Sequence, residues 1–304
     1  MSTLADKRFV VVTGKGGVGK TTVCAAEALA LAAKGRRVLV AMCNAKERLS
    51  VIFGVPPLGS DVTRVADGVW AVNIVPDRAL AEYGMMVLHS RALSKTLFEN
   101  KYVRSFLRAV PGIQEWATLG KAWWHTTEKR ADGSLKYDVV ILDAPATGHG
   151  LDMLRVPKII LDVVPPGLLR RDAERAWALF QDPTTCSIVL VTLPEEMPTS
   201  ETIELARSLA EMGLTVARVV VNGVLPPLFS KDERAALEAL PSLDVRAPGD
   251  AALVAARDRA TRERVQAESM ARLSRELPVS PAFLPLLLED AASPEAIREI
   301  AKRL

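Results

Sequence analysis

The chain has 304 residues, of which 49% are hydrophobic and 25% charged, a composition typical of one large α/β domain or two modest globular ones. The formal net charge is only +3, and no run of five like charges occurs, so we expect no nucleic-acid-binding arm. The three cysteines form no CxxC pair, which argues against a local zinc site and favours a reducing, cytoplasmic location.

The N-terminal segment is charged and leads directly into an apolar run, so we expect no signal peptide. No uncharged apolar run reaches the roughly 18 residues that span a membrane, so we expect no stable membrane insertion either. Residues 9–12 then predict a buried strand, 20–34 an Ala- and Leu-rich helix, and 37–42 a second strand. A βαβ unit of this kind needs a right-handed crossover and implies a parallel sheet.

The rest of the chain continues the α/β pattern. Short Val- and Ile-rich runs predict further strands at 70–75, 139–142, 187–192 and 216–221. Helical spacing predicts helices within 78–129 and 151–180, and at 195–209, 231–240 and 250–276. The last of these is charged and amphipathic and is interpreted as a solvated outer helix.

These elements predict a doubly wound, mostly parallel α/β sheet of the P-loop NTPase class, with a helical insertion subdomain. We expect a single domain over residues 1–304. Its predicted core lies at about 8–77, 137–150 and 186–304, and its predicted helical insertions lie at about 78–130 and 151–180.

A phosphate-binding loop lies between the first predicted strand and helix. The pattern G-x-x-x-x-G-K-[ST] is matched in full by Gly14, Lys15, Gly16, Gly17, Val18, Gly19, Lys20 and Thr21, and Thr22 follows. Such a loop surrounds phosphates with backbone N–H groups, and the helix N-terminus adds partial positive charge. Lys20 would reach the β- and γ-phosphates, and the Thr21 hydroxyl would ligate magnesium. The sequence therefore predicts binding of ATP with Mg²⁺.

A second motif, at residues 137–143, is typical of a Walker B strand. Asp143 ends an apolar strand, and a carboxylate at that end of a parallel strand lies beside the phosphate crevice, where it can hold magnesium through water. Asp138 precedes the strand and is interpreted as a structural or surface residue.

Two features go beyond a general P-loop. Lys15, directly after the first glycine, resembles the deviant Walker A of the MinD/ParA, nitrogenase iron-protein and arsenite-pump ATPases. Residues 143–150, D-A-P-A-T-G-H-G, resemble the D-T-A-P-T-G-H-T switch II of the arsenite-pump ATPase family, which includes the ATPase that targets tail-anchored membrane proteins. The likeness continues at residues 72–83, 111–115, 154–157, 194–202, 220–222 and 284–286.

This resemblance implies roles for particular residues. Lys15 would reach across a dimer to the partner's phosphates, so that ATP closes two subunits face to face. His149 would act in switch II, and Asn222 would read the adenine base. The helical insertion would present an apolar surface to a protein client, although ordinary core packing explains most of its apolar residues equally well. The residues so implicated in catalysis are Lys15, Lys20, Asn44, Asp143 and His149.

The chain departs from the family pattern after the second strand. The family has an aspartate that orients the attacking water, and Asn44 stands there instead. Asparagine keeps an acceptor oxygen but cannot take a proton, so we expect weak turnover. Glu47, three residues on, is one candidate to compensate for the missing carboxylate, but its interpretation as a surface carboxylate is favoured. The CxxC of the zinc-sharing targeting dimers is absent, and the arsenite-binding cysteines have no convincing counterparts, so arsenite export and a zinc-linked dimer are not expected.

Three hypotheses stay open. The first is a dimeric ATPase of this family that acts as a nucleotide-switched carrier or regulator, either as a homodimer or as a heterodimer with a paralogue. The second, favoured by Asn44, is a non-catalytic subunit in a heterodimer with an active paralogue. The third is a MinD/ParA-type positioning ATPase, which shares Lys15 but lacks the T-G-H string of residues 147–149.

Overall fold

The computed structural model describes residues 4–43, 47–88, 112–241, 244, 246–287 and 293–304. Eight strands of this part of the chain form one sheet in the order β3-β4-β2-β5-β1-β6-β7-β8. The strands are β1 (Phe9–Thr13), β2 (Val38–Cys43), β3 (Thr63–Ala66), β4 (Val69–Ile74), β5 (Val139–Asp143), β6 (Cys186–Thr192), β7 (Val216–Val224) and β8 (Ala282–Pro285). All neighbouring strands pair in parallel except β3 and β4, which pair antiparallel.

Helices cover both faces of the sheet. In the described ranges they are α1 (Lys20–Ala33), α2 (Leu49–Phe53), α3 (Pro76–Leu88), α4 (Ile113–Trp124), α5 (Thr147–Val163), α6 (Leu168–Gln181), α7 (Glu196–Glu211), α8 (Lys231–Glu238), α9 (Pro248–Glu276) and α10 (Pro294–Ala301). The sheet separates two apolar cores, because alternate strand residues point to opposite faces. Phe9 and Val11 of β1 belong to one core and Val10 and Val12 to the other.

The α/β architecture and all six predicted strands are confirmed. The prediction missed β3 and β8, which lie at the two edges of the sheet. In β3 the first two residues are exposed, and β8 is four residues long and ends in Pro285, so neither carries the apolar run of a central strand. The stretch 151–180 forms two helices, α5 and α6, separated by Pro165, Pro166 and Gly167.

The interpretation of α9 needs correction. Its amphipathic pattern is confirmed, but it is not simply a solvated outer helix. Ala260 and Leu273 are fully buried, and the polar side chains Glu263, Gln266 and Ser269 lie on the same buried face. That face contacts the loop after β7 and helix α7 through hydrogen bonds from polar side chains.

The described residues contain neither a membrane-spanning helix nor a cluster of metal-ligating side chains. None of their helices combines the length and apolarity that a bilayer crossing needs. No group of three His, Cys, Asp or Glu side chains in the same ranges could hold a metal ion.

Candidate nucleotide-binding site

The glycine-rich loop connects β1 to α1 at the carboxyl end of the sheet's central strand. β1 lies between β5 and β6, so the loop opens at the middle of the sheet, where α/β proteins bind ligands. Val18 is buried and anchors the loop, whereas Gly16 and Gly17 are exposed. Helix α1 begins at Lys20, so its unpaired N–H groups face the loop.

Two of the glycines are required by close contacts with neighbouring strands. A Cβ added at Gly14 would lie 2.1 Å from the carbonyl oxygen of Val191 in β6. At Gly19, where φ is +93°, a Cβ would lie 2.3 Å from the side-chain nitrogen of Asn222 in β7. Any larger residue would push the loop off both strands.

The middle of the loop has room for a ligand. A Cβ built at Gly17 would meet no atom within 4 Å, and one at Gly16 would meet only Ala146, at 3.8 Å. The loop is therefore fixed at its ends and open at its centre. This fits a phosphate chain surrounded by backbone N–H groups.

Lys20 folds back over the loop. Its ammonium group donates a hydrogen bond to the Lys15 carbonyl oxygen at 2.9 Å. Burial lowers the pKa of Lys20, and the nearby Asp143 carboxyl opposes that shift. The cation is thus held at the loop, where it can contact the outer phosphates.

Thr21 and Asp143 meet beside the loop. The Thr21 hydroxyl donates to Asp143 Oδ2 at 2.7 Å. Asp143 is 7% exposed, and burial raises the pKa of its carboxyl despite hydrogen bonding from Thr21 and the charge of Lys20. A hydroxyl and a carboxylate on adjacent elements form an oxygen donor set of the kind that Mg²⁺ prefers. The residues present therefore fit a magnesium–nucleotide complex.

Lys15 points away from its own loop. Its ammonium group lies 2.6 Å from Glu201 Oε1 and 2.9 Å from the Met197 sulfur, both on α7. Met197 is 65% exposed, so the pair sits at the open surface of the site. Lys20 and Lys15 thus have different positions, one over the loop and one beside it.

Residues 145–150 join the site to the helical region. His149 lies in the first turn of α5 and is exposed. It lines a cavity of about 180 Å³ together with Cys43, Pro76, Gln114, Glu115, Thr118, Pro145 and Met153. Gln114, Glu115 and Thr118 belong to α4, so the cavity lies between α4 and the first turns of α5, which carry His149.

Gly150 brings α5 against the base of the phosphate loop. A Cβ at Gly150 would lie 2.8 Å from the Pro145 carbonyl oxygen and 2.8 Å from Thr13 Oγ1. Thr13 is the last residue of β1, directly before the loop. The start of α5 therefore packs tightly on the strand that presents the phosphate loop.

Asn222 contacts the loop from the other side. Its side-chain nitrogen donates to the Val18 carbonyl oxygen at 3.0 Å. The structure thus brings together Lys20, Thr21, Asp143 and Asn222 around one loop, with Thr22 half-buried in the first turn of α1. Lys15 and His149 lie at the edge of this group, and Asn44 lies outside the described residues.

The interpretation of Glu47 as a surface carboxylate is wrong. Glu47 is half-buried, and its two oxygens accept hydrogen bonds from the backbone N–H groups of Ser50, at 2.7 Å, and Leu58, at 3.3 Å. It therefore holds the start of α2. Glu47 thus connects the start of α2 with the backbone at Leu58.

The sequence interpretation assigned no role to two groups near the site. Glu201, which binds Lys15, lies in a segment that resembles the family, but no sequence signal pairs it with the lysine. Glu263 and Gln266 were missed because α9 was taken as solvated. Their spacing from Met270 and Leu273, in phase on one helix face, was the signal there.

Comparison with known proteins identifies the family. The model of the anion-transporting ATPase family matches residues 7–165 and 169–239, well over half of the chain. The chain belongs to the anion-transporting ATPase family. The matched region of this family contains the glycine-rich loop, Asp143 and Asn222.

Individual relatives agree with this membership. ATPase BagA of Mycobacterium tuberculosis is 32% identical over 230 residues, which are 74% of this chain and 67% of the relative. An arsenical pump-driving ATPase of Escherichia coli is 28% identical over 236 residues, 72% of this chain but only 40% of the relative. The ATPase ASNA1 homolog of Cryptosporidium parvum is 26% identical over 257 residues, 74% of this chain and 67% of the relative. The chain thus spans less than half of the pump ATPase that it matches.

Proposed function

We propose that the chain is an ATP- and Mg²⁺-binding ATPase whose nucleotide-bound state joins two subunits, and that it acts as a switched carrier or regulator. The observation that carries this proposal is the arrangement of Lys20, Thr21 and Asp143 around an open glycine-rich loop. Membership in a family of ATPases supports ATPase activity in general.

Each residue of the site has a separate task. The loop N–H groups and Lys20 would bind and orient the phosphates, while Thr21 and Asp143 would hold a magnesium ion. When bound, the metal neutralises charge on the outer phosphates. A carboxyl group ligates a metal in its deprotonated form. Because burial raises the pKa of Asp143, this deprotonation would be harder than in an exposed aspartate.

The proposed dimer rests on Lys15. Its ammonium group lies beside its own loop at an open surface, in contact with the exposed Met197. A lysine in that place is available to an anion that approaches from a second subunit. Such a contact makes closure of the dimer depend on bound nucleotide, and hydrolysis would reverse it.

The switch would reach the helical region through α5. His149 and Met153 of α5 share a cavity with Gln114, Glu115 and Thr118 of α4. A displacement of α5 on nucleotide binding would therefore change the surface that α4 presents. A protein client at the helical insertion, in the cytoplasm, is part of this proposal.

The direct test is calorimetry with magnesium and ATP, with light scattering for subunit association. We expect the parent protein to bind ATP and to dimerise with it, and Lys20→Ala to remove both. Lys15→Ala should retain binding and lose dimerisation. A parent protein that shows no heat of association, or a Lys20→Ala variant that binds as well as the parent, would refute the proposal.

The second candidate is a non-catalytic subunit that pairs with an active paralogue. Asn44, in place of the family's aspartate, is the observation that favours it. Purification of the native complex distinguishes the two, since a heterodimer would contain a homologue with aspartate at the matching position. A MinD/ParA-type role is tested by pull-down with liposomes and DNA, to which we expect no binding.

A further inference from the structure

The nucleoside end of a bound nucleotide must lie towards β7 and β8. The metal-binding pair, Thr21 and Asp143, marks the side of β1 where β5 lies, which is where the outer phosphates belong. The sheet order places β6, β7 and β8 on the opposite side of β1. Because the base is at the other end of the molecule from the γ-phosphate, it lies above the ends of β7 and β8.

The loop after β7 borders this region. Residues 225–229, Leu-Pro-Pro-Leu-Phe, directly follow Val224, the last residue of β7, which itself comes after Asn222 and Gly223. Pro226, Pro227 and Leu228 are exposed, and Leu228 is 66% exposed. Leu286, which follows β8 and is 41% exposed, donates its backbone N–H to the Val224 carbonyl oxygen at 2.8 Å. We refer to Pro226, Pro227, Leu228 and Leu286 as the apolar rim, because exposed apolar side chains after β7 and β8 are suited to the face of a base.

The backbone of this loop is held by side chains of α9. Gln266 Oε1 accepts the N–H of Leu225 at 2.8 Å, and Gln266 Nε2 donates to the carbonyl oxygen of the same residue at 3.0 Å. Arg259 donates to the Pro226 carbonyl oxygen. Because the two prolines have no N–H, the loop has few backbone donors for hydrogen bonds within itself, and its conformation depends on the side chains of α9.

Glu263 holds the second half of the loop. It accepts the N–H groups of Leu228, at 2.9 Å, and Phe229, at 3.4 Å. Arg259 and Arg234 pair with the same carboxylate at 2.8 Å and 3.3 Å. Burial raises the pKa of Glu263, but these hydrogen bonds outweigh burial and leave the pKa below its ordinary value. The Glu263 side chain is only 2% exposed. Its carboxylate is held in place by four donors, which are two backbone N–H groups and two arginines.

We propose that Gln266 and Glu263 are positioning residues for the nucleotide base: they hold loop 225–229 beside Asn222 and so determine how much the base adds to nucleotide affinity. Neither side chain need touch the nucleotide. They act through the apolar rim, which includes Leu228, and keep it next to the amide that contacts the phosphate loop. This inference rests on the proposed function, since it assumes a nucleoside triphosphate in the site.

The test compares two probes, ATP and inorganic tripolyphosphate, each with magnesium. Tripolyphosphate has the phosphates but no base. In Gln266→Leu, which removes two hydrogen bonds, we expect the ATP dissociation constant to rise about tenfold and that of tripolyphosphate to change by about twofold or less. Arg264→Ala is the matched control, because Arg264 lies on α9 and pairs with Glu238 and Glu268 rather than with the loop. It should change neither constant.

A purely structural role would give a different result. Gln266→Leu would then raise the dissociation constants of ATP and tripolyphosphate equally, or change neither, and the proposal would be wrong. Should Gln266→Leu fail to fold, Glu263→Gln tests the same point, since it keeps the shape and removes the charge. It should also weaken ATP selectively, and an equal loss for both probes overturns the proposal again.

The failure of this inference and that of the proposed function are distinguishable in the parent protein. A parent that binds neither probe refutes the nucleotide site itself. A parent that binds ATP and tripolyphosphate equally well keeps the phosphate site but removes any contribution of the base. In that case the positioning role inferred for Gln266 and Glu263 is refuted, although the proposed function stands.

Discussion

The ammonium group of Lys15 lies 2.6 Å from the Glu201 carboxylate of the same subunit. The two side chains are 31% and 34% exposed, so this is a surface ion pair, worth only about 0–1 kcal/mol. A phosphate group from a second subunit could displace Glu201 at little cost. In the proposed dimer, the pair would therefore favour the separate subunits without preventing their association.

We expect Glu201→Gln to strengthen nucleotide-dependent dimerisation about two- to fivefold, because Lys15 loses its competing carboxylate. Light scattering over a range of protein concentrations with magnesium and ATP measures this. Glu204→Gln, at an exposed residue of the same helix, makes the same change of charge and should leave association unchanged. If both variants associate alike, the Lys15–Glu201 contact does not restrain the dimer.

Asp143 should link magnesium binding to pH. Burial raises its pKa, so the neutral carboxyl persists to higher pH than in an ordinary aspartate, whose pKa is about 3.9. As pH falls through the raised pKa, protons compete with Mg²⁺, and the magnesium-dependent part of ATP affinity should fall. Calorimetry at a series of pH values, with and without magnesium, measures this. Asp143→Asn should remove the dependence, and a variant that keeps it would exclude Asp143 as the group responsible.

The raised pKa of Asp143 also affects the stability of the folded protein. Above the raised pKa the folded protein holds a buried charge that the unfolded chain solvates better, so folding is less favourable there. We therefore expect Asp143→Asn to melt at a higher temperature than the parent at pH 7 when no nucleotide is added. The advantage should shrink as pH falls from the raised pKa towards the ordinary one. A lower melting temperature for the variant at pH 7 would contradict this.

Gly150 and Gly148 make a matched pair for testing the packing of α5. A methyl group at Gly150 would lie 2.8 Å from two oxygens, whereas one at Gly148 would meet no atom within 4 Å. Gly150→Ala should lower the free energy of unfolding by about 1–3 kcal/mol and reduce ATP turnover, because α5 must move off Thr13. Gly148→Ala should leave the free energy of unfolding within about 0.5 kcal/mol of the parent value. Denaturant titration compares them, and equal effects would show that the contact is unimportant.

Among these substitutions, we expect a change at Asn44 to give the largest gain in ATP turnover. Restoring the carboxylate in Asn44→Asp should increase ATP turnover by about 10²–10⁴-fold if it acts as a general base. A coupled phosphate-release assay measures the rate, and Asn44→Ala serves as the control that removes the acceptor oxygen. Equal turnover in the parent and Asn44→Asp would show that the asparagine does not limit the reaction.

The sequence was sufficient for the central fold and the phosphate loop. The strands β1, β5 and β6 are fully buried, so each appears as an uninterrupted apolar run that a pattern can detect. The glycines of residues 14–19 and the lysine that follows them predict a loop geometry because only glycine tolerates that path. The structure places Asp143 and Asn222 beside the loop through their hydrogen bonds to Thr21 and Val18, and the adenine-reading role of Asn222 stays a prediction.

The parts that could not be predicted depend on contacts between distant segments. Nothing in the neighbourhood of Lys15 in sequence indicates Glu201, which is 186 residues away. The polar face of α9 was misread because Glu263 and Gln266 are typical of solvated helices, and only the course of loop 225–229 makes them buried. In the edge strand β3 only Val65 is buried, so its alternation is too short to predict a strand.

The glycines at the two ends of the phosphate loop have a kinetic consequence. Gly14 lies against Val191 and Gly19 against Asn222, so the loop already has its curved shape when a ligand arrives. A preshaped receptor loses little conformational entropy on capture, which favours a rapid first encounter. Any slow phase after mixing with nucleotide would then report the meeting of two subunits, and its rate would rise with protein concentration.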